Sequence, residues 1–215
     1  MPVARPLDQF DVFVRWNKAV PILEKIIAKS EPALSVRVSS QKPFGLRTFF
    51  HGAATPSGIK HPVKLYGSQR VSWIDRSGVL QNLEWVDQWK VLMSRVQGTS
   101  AAVERIFLGK PIVAGPDEAC TETYLVAGLF DTEAEAKRYA KYLRTRFVRF
   151  LVSLRKGTQD AARGVYGFVP DLPLDEEWTD KRLYERYRLT EDEIAFIESQ
   201  VAEHTDELPL EDGDE

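Results

Sequence analysis

The sequence predicts an α+β protein: a small mixed sheet, a long amphipathic basic helix and further C-terminal helices. Three observations predict it. Short, β-rich apolar segments recur between residues 63 and 130. A stripe of helical period follows, from 132 to about 156. Strands and helices do not alternate in steady βαβ units, which argues against a doubly wound α/β fold.

The elements follow in order. FDVFVRW (10–16) alternates apolar and polar residues and reads as a strand. Asn17 is placed to cap KAVPILEKIIAKS, where Val20, Leu23 and Ile27 mark a short amphipathic helix. Pro21 is tolerable in its first turn. HGAATPSGIKHP (51–62) is rich in turn formers and reads as an exposed, mobile loop. VKLYGSQRVSWIDRSG (63–78) reads as a hairpin with Gly67-Ser68 in the turn. WKVLMSRV (89–96), KPIVAG (110–115) and TETYLVAGLF (121–130) are of strand length and apolar.

Thr132 and Glu135 then form a capping box. Ala136, Tyr139, Ala140, Leu143, Phe147, Phe150, Leu151 and Leu154 repeat at three and four residues and predict one continuous helix, ended by Gly157. Helices near 180–187 and 190–201 follow, the second opened by a box of Thr190 and Glu193. Tyr166, Phe168 and Trp178 are expected to pack these helices on the core.

With 215 residues, 43% hydrophobic content and five Trp, the chain can bury one good core. Residues 1–201 are expected to form a single domain and 202–215 an acidic, disordered tail. No apolar run is long enough to span a bilayer. The single cysteine, Cys120, excludes an intrachain disulfide and fits a cytoplasmic setting. The net charge of −3 hides a segregation. Residues 1–170 hold 25 Lys and Arg against 15 Asp and Glu, a balance of +10. Residues 171–215 hold 4 against 17, a balance of −13. A basic body favours a polyanionic partner, and the acidic segment is expected to face away from it.

Catalytic and metal chemistry find weak footing. Asp117, Glu135 and Lys137 match the PD…ExK layout of Mg²⁺-dependent nucleases, which makes an endonuclease one alternative. Yet Glu135 has a capping role, and residues two apart on a helix diverge by about 200°. Cys120 reads as a structural thiol. His51 and His61 lack acidic or cysteine partners for a metal.

DNA binding is the stronger reading. The helix 137–156 presents Lys137, Arg138, Lys141, Arg144, Arg149, Arg155 and Lys156 away from its apolar stripe, and Arg163 continues the run. Such a face suits phosphates, where each cation releases counterions. Base readout is assigned to loops that can enter a groove: Lys42 and Arg47, Gln69 and Arg70 at the hairpin tip, and Thr158 with Gln159 beyond the helix. Arg76 adds a further loop cation.

The blocks KPFGLRT (42–48), LYGSQRVSWIDRS (65–77), WKVLMSR (89–95) and GKPIVAGPDEACTETYLVAG (109–128) carry a resemblance. So does the run from YLRTRFVRFL through VYGFVP to WTD…LTEDEIAFIE. Together they resemble the C-terminal target-recognition domain of adenine-specific DNA methyltransferases of type II restriction-modification systems, type IIG-like and TaqI-like enzymes included. An assembly subunit that binds a methylase or endonuclease partner is the other alternative. The resemblance implies a mixed α/β recognition domain that selects a DNA sequence, double-stranded DNA as partner, and a methyltransferase or endonuclease subunit that would hold S-adenosylmethionine. It transfers no catalytic residue. A glycine-rich cofactor loop and an Asn/Asp-Pro-Pro-aromatic loop are both missing here, and no two prolines are adjacent.

Overall fold

Two three-stranded sheets and five α-helices bear out the α+β class in the computed structural model, which describes residues 9–68, 70–95, 107–156 and 161–203. Helix α1 (Ala19–Ile27) precedes the predicted hairpin, β1 (Pro62–Tyr66) and β2 (Val71–Asp75). Strands β3 (Trp89–Ser94), β4 (Ile112–Ala114), β5 (Glu118–Cys120) and β6 (Tyr124–Phe130) follow. Helices α2 (Glu133–Arg144), α3 (Arg146–Arg155), α4 (Asp180–Arg186) and α5 (Glu191–Gln200) come last. One sheet has the order β2-β1-β5, with β1 and β5 parallel. The other has the order β4-β3-β6 and is antiparallel throughout.

The second sheet is the middle layer. Successive side chains of a strand point to opposite faces. Val91 and Met93 of β3, with Leu125 and Ala127 of β6, join the large apolar cluster built by the helices. Leu92 and Val126 join a smaller cluster with Phe44, Val63, Leu65 and Ala119, under the hairpin sheet. Burial on both faces is why WKVLMS reads as a nearly continuous apolar run.

One charge lies in that layer. Lys90 is fully buried, and its Nζ donates to the carbonyls of Gly115 at 2.7 Å and Glu118 at 2.9 Å, with Val86 O at 3.5 Å. Glu118 opens β5, Gly115 lies between β4 and β5, and Val86 precedes β3, so the ammonium pins the hairpin sheet to the middle sheet. Cys120 is buried in the smaller cluster, as expected, and desolvation pushes its thiol up.

Three expectations are corrected. Residues 10–16 form no strand. Their side chains are instead used one at a time: Phe10 meets Phe168 edge-on at 6.0 Å, Asp11 binds Arg155, and Trp16 stacks on Phe150 at 6.3 Å. Alternation is thus satisfied by a segment lying across helices. In α1 the buried face is Ala19, Ile22, Leu23 and Ile26, so Val20 and Ile27 lie off it; the N-cap is Lys18, without a side-chain bond from Asn17.

The third correction concerns the long helix. The Thr132–Glu135 capping box is present, and every residue of the predicted stripe is buried. The helix nevertheless breaks at Thr145, whose ψ of 148° is extended. Its hydroxyl donates to Tyr142 O at 2.8 Å and accepts from Val148 N at 3.2 Å, ending α2 and capping α3 together. The Asp180 carboxylate accepts from the N–H groups of Arg146 at 3.1 Å and Phe147 at 2.8 Å. The first three N–H groups of α3 are therefore satisfied from outside the helix. Gly157, the expected C-cap, lies outside the described residues. The helices at 180–186 and 191–200 match expectation, and the second has its Thr190–Glu193 capping box. Tyr166 and Trp178 are buried and Phe168 packs against the core, as the sequence indicates.

Burial lowers the Lys90 ammonium from 10.5 to about 8. The unfolded chain therefore binds more protons than the folded one between those values, and stability from this group rises as pH climbs through that window. Urea midpoints of the wild type and of Lys90→Met, measured from neutral pH to about 9.5, are expected to diverge. The wild type gains about 2 kcal/mol relative to the variant. Parallel pH profiles would contradict the assignment.

Candidate nucleic-acid interface

Most of the predicted phosphate face is already occupied by the protein itself. Arg149 is the plainest correction. It is 1% exposed, and its Nε donates to the carbonyls of Arg144 at 3.0 Å and Thr145 at 3.3 Å. Its Nη1 donates to Ala202 O at 2.7 Å. The break at Thr145 leaves Arg144 O, the last carbonyl of α2, without a helical partner, and this guanidinium satisfies it. Burial lowers its pKa to about 10.

Arg155 grips Asp11 through both carboxylate oxygens at 2.6 Å, donates to Gly164 O, and lies over the Phe168 ring. Lys156 donates to Phe107 O at 2.8 Å, and Arg163 donates to Ser35 O at 2.8 Å. Arg138 is half-buried, with its Nε enclosed and unpartnered. Arg144 is half-buried and lines a small cleft with Arg146 and Arg149. Lys137 and Lys141 keep 58% and 57% of their side chains exposed, in surface pairs with Glu133 and Glu177 at 2.8 Å. Pairs of that kind are worth about 0–1 kcal/mol and exchange readily.

The acidic segment is tied to the basic body at several points. Asp171 binds Arg37, Glu177 binds Lys141, Asp180 caps α3, and Glu198 and Glu203 flank Arg146. The expected tail at 202–215 thus begins with residues tied to α3; 204–215 lie outside the described residues.

The predicted base-reading residues fare differently. Lys42 and Arg47 are brought together in an open cleft of about 410 Å³ at the edge of the hairpin sheet. Gln41 and Thr48 belong to the same loop; Ser68 comes from the hairpin turn, Arg95 follows β3, and Glu122 and Thr123 precede β6. Gln69, Thr158 and Gln159 lie outside the described residues. Arg70 is exposed beside the turn, and its Nε donates to His51 Nδ1 at 3.1 Å. Arg76 is committed to Asp87, with two contacts at 2.7 Å.

The loop 41–50 is exposed at its functional positions but firmly held. Phe44 and Leu46 are buried in the smaller cluster, and Phe44 meets Trp85 edge-on at 6.3 Å. Asn82 Nδ2 donates to Pro43 O at 2.6 Å. Gly45 closes a turn on Lys42 O at 2.9 Å with φ of 78°, and a Cβ there would lie 2.7 Å from Leu80 Cβ. Lys42 has φ of 55°, a left-handed conformation that costs a non-glycine residue on the order of 1–2 kcal/mol. Glu122 N donates to Leu46 O at 2.8 Å, and its carboxylate accepts from Thr48 N at 3.2 Å while standing 3.9 Å from Lys42 Nζ. Arg47 is exposed and has no ion-pair partner among the described residues. The cleft therefore offers cations, hydroxyls and an amide on a rigid frame, with one carboxylate that the loop itself uses.

The loop also presents Phe49, 74% exposed, and Phe50 beside it. No periodicity marks these two residues, so they drew no role from the sequence. The motif residues of the nuclease alternative have separate partners. Glu135 is bound to Thr132, Lys137 to Glu133, and Asp117 stands 3.7 Å from Arg76. Among the described residues no group of three His, Cys, Asp or Glu could hold a metal ion. Among them, too, no helix is long and apolar enough to cross a membrane.

No protein-family model and no curated protein sequence matches this chain.

The two arginines singled out on α3 and on the loop separate cleanly by variant. Arg149→Ala removes the side-chain donor from the carbonyls of Arg144 and Ala202, while Thr145 O keeps the backbone N–H of residue 149, and is expected to cost about 3 kcal/mol in a urea titration. Arg47→Ala is expected to leave the midpoint within about 0.5 kcal/mol, as exposed sites do. Equal midpoints for the two variants would refute the structural role of Arg149.

Proposed function

We propose that this chain is a sequence-specific DNA-recognition domain or subunit of a restriction-modification system, acting on double-stranded DNA beside a separate catalytic methylase or endonuclease. The observation that carries the reading is the convergence of Lys42, Arg47 and Arg95 with the hairpin turn in one anchored cleft. Bidentate guanidinium groups read guanine edges, ammonium groups serve bases or phosphates, and loops of this kind reach a groove that a half-buried helix cannot. The resemblance in sequence to adenine-specific methylase recognition domains supports the same reading. In it, S-adenosylmethionine belongs to the catalytic partner.

Within this proposal the DNA-facing surface centres on the loop 41–50, Ser68, Arg70 and Arg95. Lys137 and Lys141 can add phosphate contacts by exchanging their exposed carboxylate partners. Arg149, Arg155 and Lys156 serve the fold.

Selection from a randomised duplex pool, followed by a salt titration on the enriched sequence, tests the reading. One enriched motif is expected. Arg47→Ala is expected either to relax the preference at one base pair, at a cost of about 1–3 kcal/mol, or to reduce the salt slope by about 1 if it contacts phosphate. Absence of enrichment together with a slope unaffected by both Lys42→Ala and Arg47→Ala would defeat it.

A further inference from the structure

Phe49 stands at the tip of a closed turn. The N–H of Phe50 donates to Arg47 O at 3.0 Å, which makes Thr48 and Phe49 its corner residues. The turn is fastened below: Thr48 N–H donates to the Glu122 carboxylate at 3.2 Å, and Glu122 N–H donates to Leu46 O at 2.8 Å. Leu46 is itself buried. The aromatic ring is thus held out in water by a braced backbone. Among the described residues it meets neither another ring nor a cation. Exposed single apolar residues need no special explanation. A phenylalanine fixed at a turn corner, next to an arginine with no ion pair among the described residues and at the rim of a cationic cleft, is a more particular arrangement.

We infer that Phe49 is a wedge that enters the base stack of bound duplex DNA, while Arg47 and Lys42 hold the adjoining backbone. The inference rests on the DNA-recognition reading and adds a mechanism to it. Apolar wedges unstack a base step and kink the duplex, and the cost of unstacking is recovered through wider contact with the protein. The charge of the rim favours a polyanion over an apolar protein surface: Lys42 and Arg47 line the cleft, and among the described residues that line it Glu122 is the one carboxylate. The turn geometry supplies what a wedge needs, an aromatic ring whose backbone does not have to be ordered on binding.

A short duplex with a central mismatch, compared with its fully paired counterpart, tests this. A mismatch lowers the cost of unstacking in advance, so the wild-type full chain is expected to bind the mismatched duplex about tenfold more tightly. Phe49→Ala is expected to lose that preference and Phe49→Trp to keep it, while Arg47→Ala weakens both duplexes alike. Equal affinity of the wild type for the two duplexes, or a preference that survives in Phe49→Ala, overturns the wedge and leaves DNA recognition standing. Failure of the wild type to bind either duplex removes the DNA reading itself, and the Phe49 turn then belongs to a protein contact.

Discussion

The molecule is organised around a strand that has no free face. β3 and β6 present Val91, Met93, Leu125 and Ala127 to the helices and Leu92 and Val126 to the hairpin sheet. Whatever fixes the middle sheet therefore fixes the two outer layers relative to each other. Hydrophobic burial alone is non-directional and would tolerate sliding of one layer over the next. Lys90 removes that freedom. Its ammonium sits among carbonyls of Val86, Gly115 and Glu118, and a displaced layer would leave those oxygens and a buried charge unpaired. Glu118, at the start of β5, in turn holds Gly115 N and Lys64, so the same short segment is bound to both sheets.

A second constraint acts at the junction of α2 and α3. A helix interrupted inside a core exposes carbonyls on one side of the break and N–H groups on the other. Thr145 and Asp180 satisfy the N–H groups that open α3, Thr145 and Arg149 bind Tyr142 O and Arg144 O at the end of α2, and Arg149 also reaches Ala202 past the end of α5. The break lets α3 turn so that nearly every side of it is packed, with α4, α5 and the 163–168 turn around it. That packing draws the acidic C-terminal segment across the basic helices. Charge that is segregated along the chain is largely interleaved in space.

This explains what could and could not be read from the residues. The hairpin, the capping boxes at Thr132 and Thr190, and the buried stripe from Ala136 to Leu154 are local patterns, and they fold as written. The break at Thr145 is only partly local: threonine can cap a helix but is also tolerated inside one, and Asp180, 35 residues on, supplies the acceptor for two further N–H groups of the new N-terminus. Arg149 follows from the break, so a helical wheel drawn for one continuous helix placed it on the wrong surface. Residues 10–16 misled for a related reason. Alternation reports which side chains find apolar neighbours, and here helices rather than another strand supply them. That Lys42 and Arg47 share one loop was legible because KPFGLRT carries its own punctuation, and Phe44 and Leu46 mark the buried sites between them. Phe49 was not, since nothing in a sequence separates a phenylalanine held in water from one in a core.

Within the DNA-recognition proposal, the contrast between the two cationic regions favours the loop over the helix as the surface for a polyanion. A phosphate offered to Arg155 must displace a two-point carboxylate contact, a carbonyl bond and an aromatic ring; one offered to Arg149 must first open the core. Neither exchange releases a counterion from solvent, which is the source of most affinity for DNA. Among the described residues Arg47 has no such bond to surrender, and its backbone is already fixed by the Phe50, Thr48 and Glu122 hydrogen bonds. The loop gains its rigidity from Phe44 and Leu46 in the smaller cluster, whose position is set by Lys90 against the middle sheet. The chain thus spends most of its arginines on building a frame and leaves a few side chains of one braced loop free to meet a partner. A buried lysine, by fixing the layer beneath, determines where that loop stands.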